Sequence, residues 1–178
     1  MNTENSGGGE TRGGAPAETM PHSITYIGMG ANLGNARSTL ILAAKDIAAL
    51  SGIHATQLSP LYRSAPVDAG GPDYVNAVLR ADTTLEAEEL LRALQEIETR
   101  RGRQRPYRNA PRTLDLDLLL HGKEERQTRF LTLPHPRMHE RAFVLMPLQD
   151  LAPELVLTQG SLPGLLAMLG NQRIERLS

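Results

Sequence analysis

The stretch Arg112-Thr113-Leu114-Asp115-Leu116-Asp117-Leu118-Leu119-Leu120 decides how this chain is read. It is short and leucine-rich, led in by Pro111 and closed by Gly122, which is the pattern of a buried strand. Residues two apart on a strand share a face, so Leu114, Leu116, Leu118 and Leu120 are expected to point one way. Asp115 and Asp117 then point the other way, roughly 6–7 Å apart along the chain. Two ionised carboxylates that close repel each other, and burying them uncompensated is costly. Two solutions fit: pairing with nearby arginines, or a divalent cation. Hard oxygen ligands favour Mg²⁺, which commonly takes one or two carboxylates and completes its shell with substrate phosphates.

The residues just before this strand sharpen the choice. Arg100, Arg101, Arg103, Arg105, Arg108 and Arg112 crowd a run that holds no acid and is broken by Gly102, Pro106, Ala110 and Pro111. Such a cluster is usually a solvated loop. Leading straight into paired aspartates, it has the composition a polyphosphate needs, with metal on one side and guanidinium forks on the other. A basic loop of this kind can close over a nucleotide and exclude water.

Composition bounds the alternatives. The chain has 178 residues, enough for one domain with a real core, and a net charge of −1, which implies no global attraction to nucleic acid or membrane. With no cysteine, disulfides, thiol chemistry and thiolate metal sites are excluded. No apolar run approaches the length of a membrane span. Residues 1–22 are Gly-rich and polar without an apolar segment, so a disordered tail is expected there, with Met20 a candidate start. Residues 23–178 are expected to form one domain, and a cytoplasmic location follows by default.

Along the chain, Ile24 to Gly30 reads as a first strand, and Leu40 to Leu50 as a helix stopped by Ser51-Gly52. The glycines after Ile27 do not fit a dinucleotide fingerprint: Gly28-x-Gly30-x-x-x-Gly34 is one residue off. Tight strand-to-helix packing is the expected reason for them. Asn32, just past the strand, can hold a loop or a ligand. Ile53 to Tyr62 reads as a second strand, followed by a long connection with Pro66, Gly70, Gly71 and Pro72. Tyr74 to Ala81 is a third strand with Tyr74, Asn76 and Val78 on one face. A ring beside an amide is either a platform for a heterocycle or an ordinary edge tyrosine with a structural asparagine.

Leu85 to Arg101 is expected to be a helix with Thr84 as N-cap and Leu90, Leu91, Leu94 and Ile97 buried. Glu98 near its C-terminus opposes the helix dipole and needs cationic company. After the central strand, Phe130 to Leu133 reads as a short strand, Glu140 to Asp150 as a helix, and Leu162 to Leu169 as a last helix before a polar tail. His135 has no second histidine or cysteine at ligand spacing, which argues against a metal role. Arg137 and Arg141 can reach a phosphate or simply solvent.

Assembled in order, these stretches resemble the 6-hydroxymethyl-7,8-dihydropterin pyrophosphokinase family of folate biosynthesis. The resemblance rests on Gly28-Met29-Gly30-Ala31-Asn32-Leu33-Gly34, Tyr62-Arg63-Ser64, Asp73-Tyr74-Val75-Asn76-Ala77 and Gln95-Glu96-Ile97-Glu98. It rests further on Pro111-Arg112-Thr113-Leu114-Asp115-Leu116-Asp117 and on Leu133-Pro134-His135-Pro136-Arg137-Met138, followed by Arg141 and Phe143. It implies an α+β, ferredoxin-like α/β sandwich, with helices packed on a mainly antiparallel sheet. It also implies an enzyme that moves the β,γ-pyrophosphoryl group of ATP onto the pterin hydroxymethyl oxygen and releases AMP.

Carried over, Asp115 and Asp117 would hold two Mg²⁺ ions, and Arg103, Arg112, Asp115 and Asp117 would be catalytic. Gln95, Glu98, Arg105, Arg112, Leu118, Thr132, His135 and Arg141 would hold ATP. Ser64, Val67, Tyr74, Asn76 and Phe143 would line the pterin pocket, the ring lying between Tyr74 and Phe143. The expected state is a monomer, with any second folate enzyme a non-covalent partner.

Two rival readings remain. An RNA-binding module of the same fold would stack bases on strand aromatics, but aromatic residues make up 3% of the chain and the central strand is acidic. A nucleotide-binding relative without catalysis is suggested by one departure. Where the family usually has Arg-Trp-Gly-Pro-Arg, this chain has Arg108-Asn109-Ala110-Pro111-Arg112. Ala31, Ala65, Ala142 and Phe130 also depart from the common pattern. The missing Trp belongs to the loop that seals the family's site, so Asn109→Trp is expected to raise kcat in a steady-state assay; an unchanged or lower kcat contradicts that closure argument.

Overall fold

The computed structural model describes residues 20–66, 70–102 and 114–178. The expected N-terminal tail therefore falls, for residues 1–19, outside the described residues; His22, within them, is already tied to Asp82 at 2.8 Å.

The main sheet is antiparallel. Its strands are β1 (Ser23–Ala31), β2 (Ile53–Leu58), β3 (Tyr62–Ser64), β4 (Tyr74–Thr83), β5 (Asp115–His121) and, after two small hairpins, β10 (Ile174–Arg176). The order is β10-β3-β4-β1-β5, with β2 also on β4. The hairpins pair β6 (Arg126–Gln127) with β7 (Thr132–Leu133), and β8 (Val156–Leu157) with β9 (Gly160–Ser161). The described helices are α1 (Ala36–Ala48), α2 (Ala87–Arg100), α3 (Ala142–Leu151) and α4 (Leu162–Ala167), with a 3-10 turn over Met138–Glu140. The β1-α1-β2/β3-β4-α2-β5 core is the ferredoxin-like sandwich, and α3 and α4 cover the second face.

Each face has its own core. Ile27, Met29, Ala77, Leu79, Leu116 and Leu118 pack against Leu40, Ile47, Leu90, Leu94 and Ile97 of α1 and α2. On the other side Val78 and Leu119 pack against Leu145 and Leu148 of α3 and Leu162 and Leu165 of α4. Burying these apolar side chains at about 1.5–3 kcal/mol each is what holds helices to sheet.

Several local expectations change. The stretch 53–62 is two strands, because Pro60 has no N–H to give a ladder. Ser59 fills the break: its N–H donates to the Val78 carbonyl, and its Oγ accepts from the Val78 N–H, both at 2.9 Å. Leu120 does not share a face with Leu116 and Leu118. The β1–β5 register shifts between Tyr26 and Ile27, so Leu119 is an inserted residue and Leu119 and Leu120 both turn to the α3 side. The α2 N-cap is Glu86 rather than Thr84, and it makes no side-chain capping bond. Within 130–133 only Thr132–Leu133 is strand, and Phe130 is 77% exposed. The tail also ends in a strand, β10, that closes the β3 edge.

One part-buried contact ties β3 to α3: the Tyr62 hydroxyl donates to Asp150. The desolvated phenol and its anionic partner push the Tyr62 pKa up to about 12, so it stays a donor. Tyr62→Phe is expected to lower unfolding stability by about 1–2 kcal/mol in urea titrations; an unchanged midpoint contradicts a structural role for this bond.

Candidate active site

Antiparallel pairing brings four strand ends together at one end of the sheet. Asp115 of β5 lies opposite Gly30 of β1, Gly30 lies opposite Asn76 of β4, and Asn76 lies opposite Tyr62 of β3. Two residues on, Asp117 faces Gly28 and Gly28 faces Val78. In the other direction along β4, Tyr74 pairs with Ser64. Directly paired residues project on one face. Asp115, Asp117, Asn76, Tyr74 and Ser64 therefore share the α3 face, beyond the point where α3 covers it.

The glycines leave the floor between these side chains bare. A Cβ on Gly30 would stand 3.4 Å from Asn76 Oδ1 and 3.9 Å from Tyr74 Cδ1. A Cβ on Gly28 would meet Leu119 Cδ2 at 3.4 Å. The nearest atoms to each lie on neighbouring strands rather than on a helix, which is not the strand-to-helix packing expected of them. Their bare backbone is the floor between the carboxylates and the amide, which neighbouring-strand spacing puts about 10 Å apart.

On the amide side, Asn76 Nδ2 donates to Ser64 Oγ at 2.7 Å, with both residues buried. That bond orients the amide and leaves Oδ1 turned toward Gly30. Tyr74 is half-buried beside it. Asn32 reaches the Pro72 carbonyl at 3.4 Å, so it does hold the preceding loop.

The cationic wall comes from the segment between β7 and α3. Arg141 places its guanidinium 5.7 Å from the Phe143 ring centroid, within cation–π range. Burial lowers the Arg141 pKa, and the nearby Arg137 adds to this; Asp117, Asp115 and Glu140 act in the opposite direction. Arg141 thus lies in the field of both aspartates. His135 lies in the field of Asp115. Desolvation, with Arg141 and Arg137, pushes its pKa down to about 4 against the pull of Asp115. Its Nδ1 accepts the Arg137 backbone N–H at 3.1 Å, which leaves the ring proton on Nε2.

At the outer edge of β5, Glu98 is 2% exposed, and its Oε1 accepts the Leu116 backbone N–H at 2.8 Å. Its company thus includes a strand-edge N–H, and the carboxylate also pins β5 to α2. The Leu118 side chain is in the core, so this residue can offer only its backbone, which the two-residue period turns toward the same edge. Thr132 stands next to that edge on β7. Gln95 is on the exposed face of α2, along a shallow groove with Arg92, Glu96, Thr99 and Arg100. Arg101 is drawn instead into an ion pair with Asp46 of α1 at 2.6 Å. Arg103, Arg105, Arg112 and Val67 lie outside the described residues.

A ferredoxin-like sheet thus carries acid, amide and ring on one face, with a guanidinium from the start of α3 in the field of the acids. The profile of the 7,8-dihydro-6-hydroxymethylpterin-pyrophosphokinase family (HPPK) matches residues 26–153. A 2-amino-4-hydroxy-6-hydroxymethyldihydropteridine pyrophosphokinase of Pseudomonas aeruginosa is 45% identical over 154 residues, which cover 85% of this chain and 95% of that protein. The enzyme of the same name from Haemophilus influenzae is 46% identical over 133 residues, covering 74% and 83%.

Among solved structures, an HPPK-DHPS crystal structure in complex with substrates matches with a TM-score of 0.64 at 12% identity, and this likeness concerns the fold. It covers 83% of this chain, which spans less than half (43%) of that one. The chain belongs to the HPPK family.

His135 is expected to stay neutral, with the proton on Nε2, down to about pH 4. Because the unfolded histidine titrates near 6.5, the unfolded state binds the extra proton first. This group therefore costs stability progressively as pH falls from about 6.5 to about 4. Long-range ¹H–¹⁵N spectra across that window check both statements; a ring that titrates near 6.5 contradicts them.

Proposed function

We propose that this protein transfers the pyrophosphoryl group of ATP to 6-hydroxymethyl-7,8-dihydropterin. The pterin hydroxymethyl oxygen attacks the β-phosphorus, the bond from that phosphorus to the oxygen bridging to the α-phosphorus breaks, and AMP leaves with that oxygen. The hydroxyl proton passes to solvent. The observation that carries this reading is the register that sets Asp115 and Asp117 opposite Gly30 and Gly28, with Asn76 across the gap. The family membership of the chain supports it.

The cleft has two halves that suit two substrates. The pterin half is the buried Ser64–Asn76 pair, whose fixed amide reads the heterocycle edge, with Tyr74 and Phe143 as flanking rings. Val67 is assigned to this pocket as well. The nucleotide half runs from the aspartates to the β5 edge. There the Leu118 backbone and Thr132 meet the base, Gln95 and Glu98 border it, and Arg141 and His135 Nε2–H meet phosphate oxygens. The family resemblance assigns Arg105 and Arg112 to ATP, and Arg103 and Arg112 to catalysis.

Asp115 and Asp117 fit Mg²⁺. They are hard, partly exposed carboxylates on one face, next to residues without side chains. Among the described residues no group of three or more metal-binding side chains occurs, so phosphates and water would fill the remaining positions. Two such ions, when bound, would supply charge neutralisation at the transferring phosphates. The residues themselves position the two substrates and keep the pterin hydroxyl facing the β-phosphorus.

The protein is assigned to the cytoplasm as a monomer. No described helix is long and apolar enough to cross a membrane. The solved HPPK-DHPS chains suggest a neighbouring folate enzyme as partner.

The test is a nucleotide product assay with ATP, Mg²⁺ and the hydroxymethyl pterin. AMP is expected only with all three, and Asp115→Asn and Asp117→Asn are each expected to lower kcat by about 10² or more. ADP as the product, or full activity in either variant, contradicts the assignment.

A further inference from the structure

Arg141 and Phe143 stand at the start of α3, and the way that start is held is unusual. The α3 N-cap position is Arg141 itself, whose backbone is extended (φ −122°, ψ 107°) and whose side chain makes no capping bond. A helix start leaves orphan N–H groups that need acceptors. Here the acceptor comes from the far end of the chain. Gln172 Oε1 accepts the Ala142 N–H at 2.8 Å, and Gln172 Nε2 donates to the Glu140 carbonyl at 2.8 Å.

These two backbone groups flank Arg141 on either side. Their relative orientation is set by the φ and ψ of Arg141 and by nothing else, because the peptide units are planar. One planar carboxamide bonded to both therefore fixes those two torsions. It holds Arg141 in the extended conformation from which its guanidinium reaches over Phe143 and into the field of Asp115 and Asp117. Gln172 is itself anchored: its N–H donates to the Leu169 carbonyl at 2.9 Å, and β10 just beyond pairs with β3.

We propose that Gln172, which lies outside residues 26–153 matched by the family profile, is a positioning residue for the nucleotide-phosphate side of the site, acting through Arg141. Without it, the two peptide units are held only separately, one by the Arg141 N–H on the Met138 carbonyl at 3.3 Å and the other by the Arg141 carbonyl accepting from Val144 and Leu145 at 3.0 Å; nothing then ties one unit to the other, and a displacement of about 1 Å at a phosphate contact is expensive. The proposal rests on the reading of Arg141 as a phosphate ligand.

The test is calorimetric binding of α,β-methylene-ATP with Mg²⁺ to the full chain. The proteins are wild type, Gln172→Ala, Gln172→Met, Arg141→Ala and Gln172→Ala/Arg141→Ala. Gln172→Met keeps the length of the side chain and loses both hydrogen bonds, so it stands in if Gln172→Ala does not fold. Each Gln172 variant is expected to weaken binding about tenfold, a loss of the size that misplacing one contact produces. In the Arg141→Ala background the Gln172 substitution is expected to add less than about twofold, because residues acting through one contact are not additive.

Wild-type affinity in the Gln172 variants, or a full multiplicative loss in the double variant, overturns the proposal while leaving the Arg141 reading in place. Wild-type affinity in Arg141→Ala overturns that reading and this inference with it.

Discussion

The site depends on one constraint, the register of β5 against β1. Antiparallel pairing sets Asp115 opposite Gly30 and Asp117 opposite Gly28. A slip of one residue would turn both carboxylates into the α1/α2 core and bring leucines into the cleft. The register is held from both sides of β5. Leu116 and Leu118 are buried under α2, while Glu98 binds the Leu116 N–H on the outer edge. The inserted Leu119 then reverses the alternation, so the strand anchors in the α3 core immediately after delivering its acids.

Each glycine has meaning only through that register. The cleft is a place where the central strand carries no side chains, between a pair of carboxylates and an amide already oriented by Ser64. The charged wall opposite is built from a different part of the chain, the turn from His135 to Arg141. Its electrostatics are consistent with a polyanion. A half-buried guanidinium and a neutral histidine with its proton on Nε2 are both donors already partly stripped of solvent.

Much of this was legible in the sequence. The strand Asp115–His121, the Tyr74-x-Asn76 face and the order of the core elements follow from two-residue and helical periodicities. What stayed hidden has specific causes. Four consecutive residues of Leu118–His121 contain three leucines, which fit either face, so the insertion at Leu119 leaves no pattern. Gly28 and Gly30 have no side chain to report which face they serve. The split at Ser59 needed the geometry of the Val78 backbone, although Pro60 marked the place. Gln172 is one amide in a polar tail, and no periodicity announces it. Glu98, by contrast, follows Leu94 by four residues on the buried stripe, so its burial was foreshadowed.

The proposed role of Asp115 and Asp117, set over bare glycine backbone, is to hold metal beside the two substrates. The most direct measurement is a crystal structure of the protein with α,β-methylene-ATP, the hydroxymethyl pterin and Mn²⁺ in place of Mg²⁺, with anomalous scattering used to locate the metal. Anomalous peaks bonded to both aspartates are expected, with the pterin edge on Asn76 and triphosphate oxygens completing the shell. Metal bound elsewhere, or a pterin seated away from the Gly30–Asn76 gap, would contradict it.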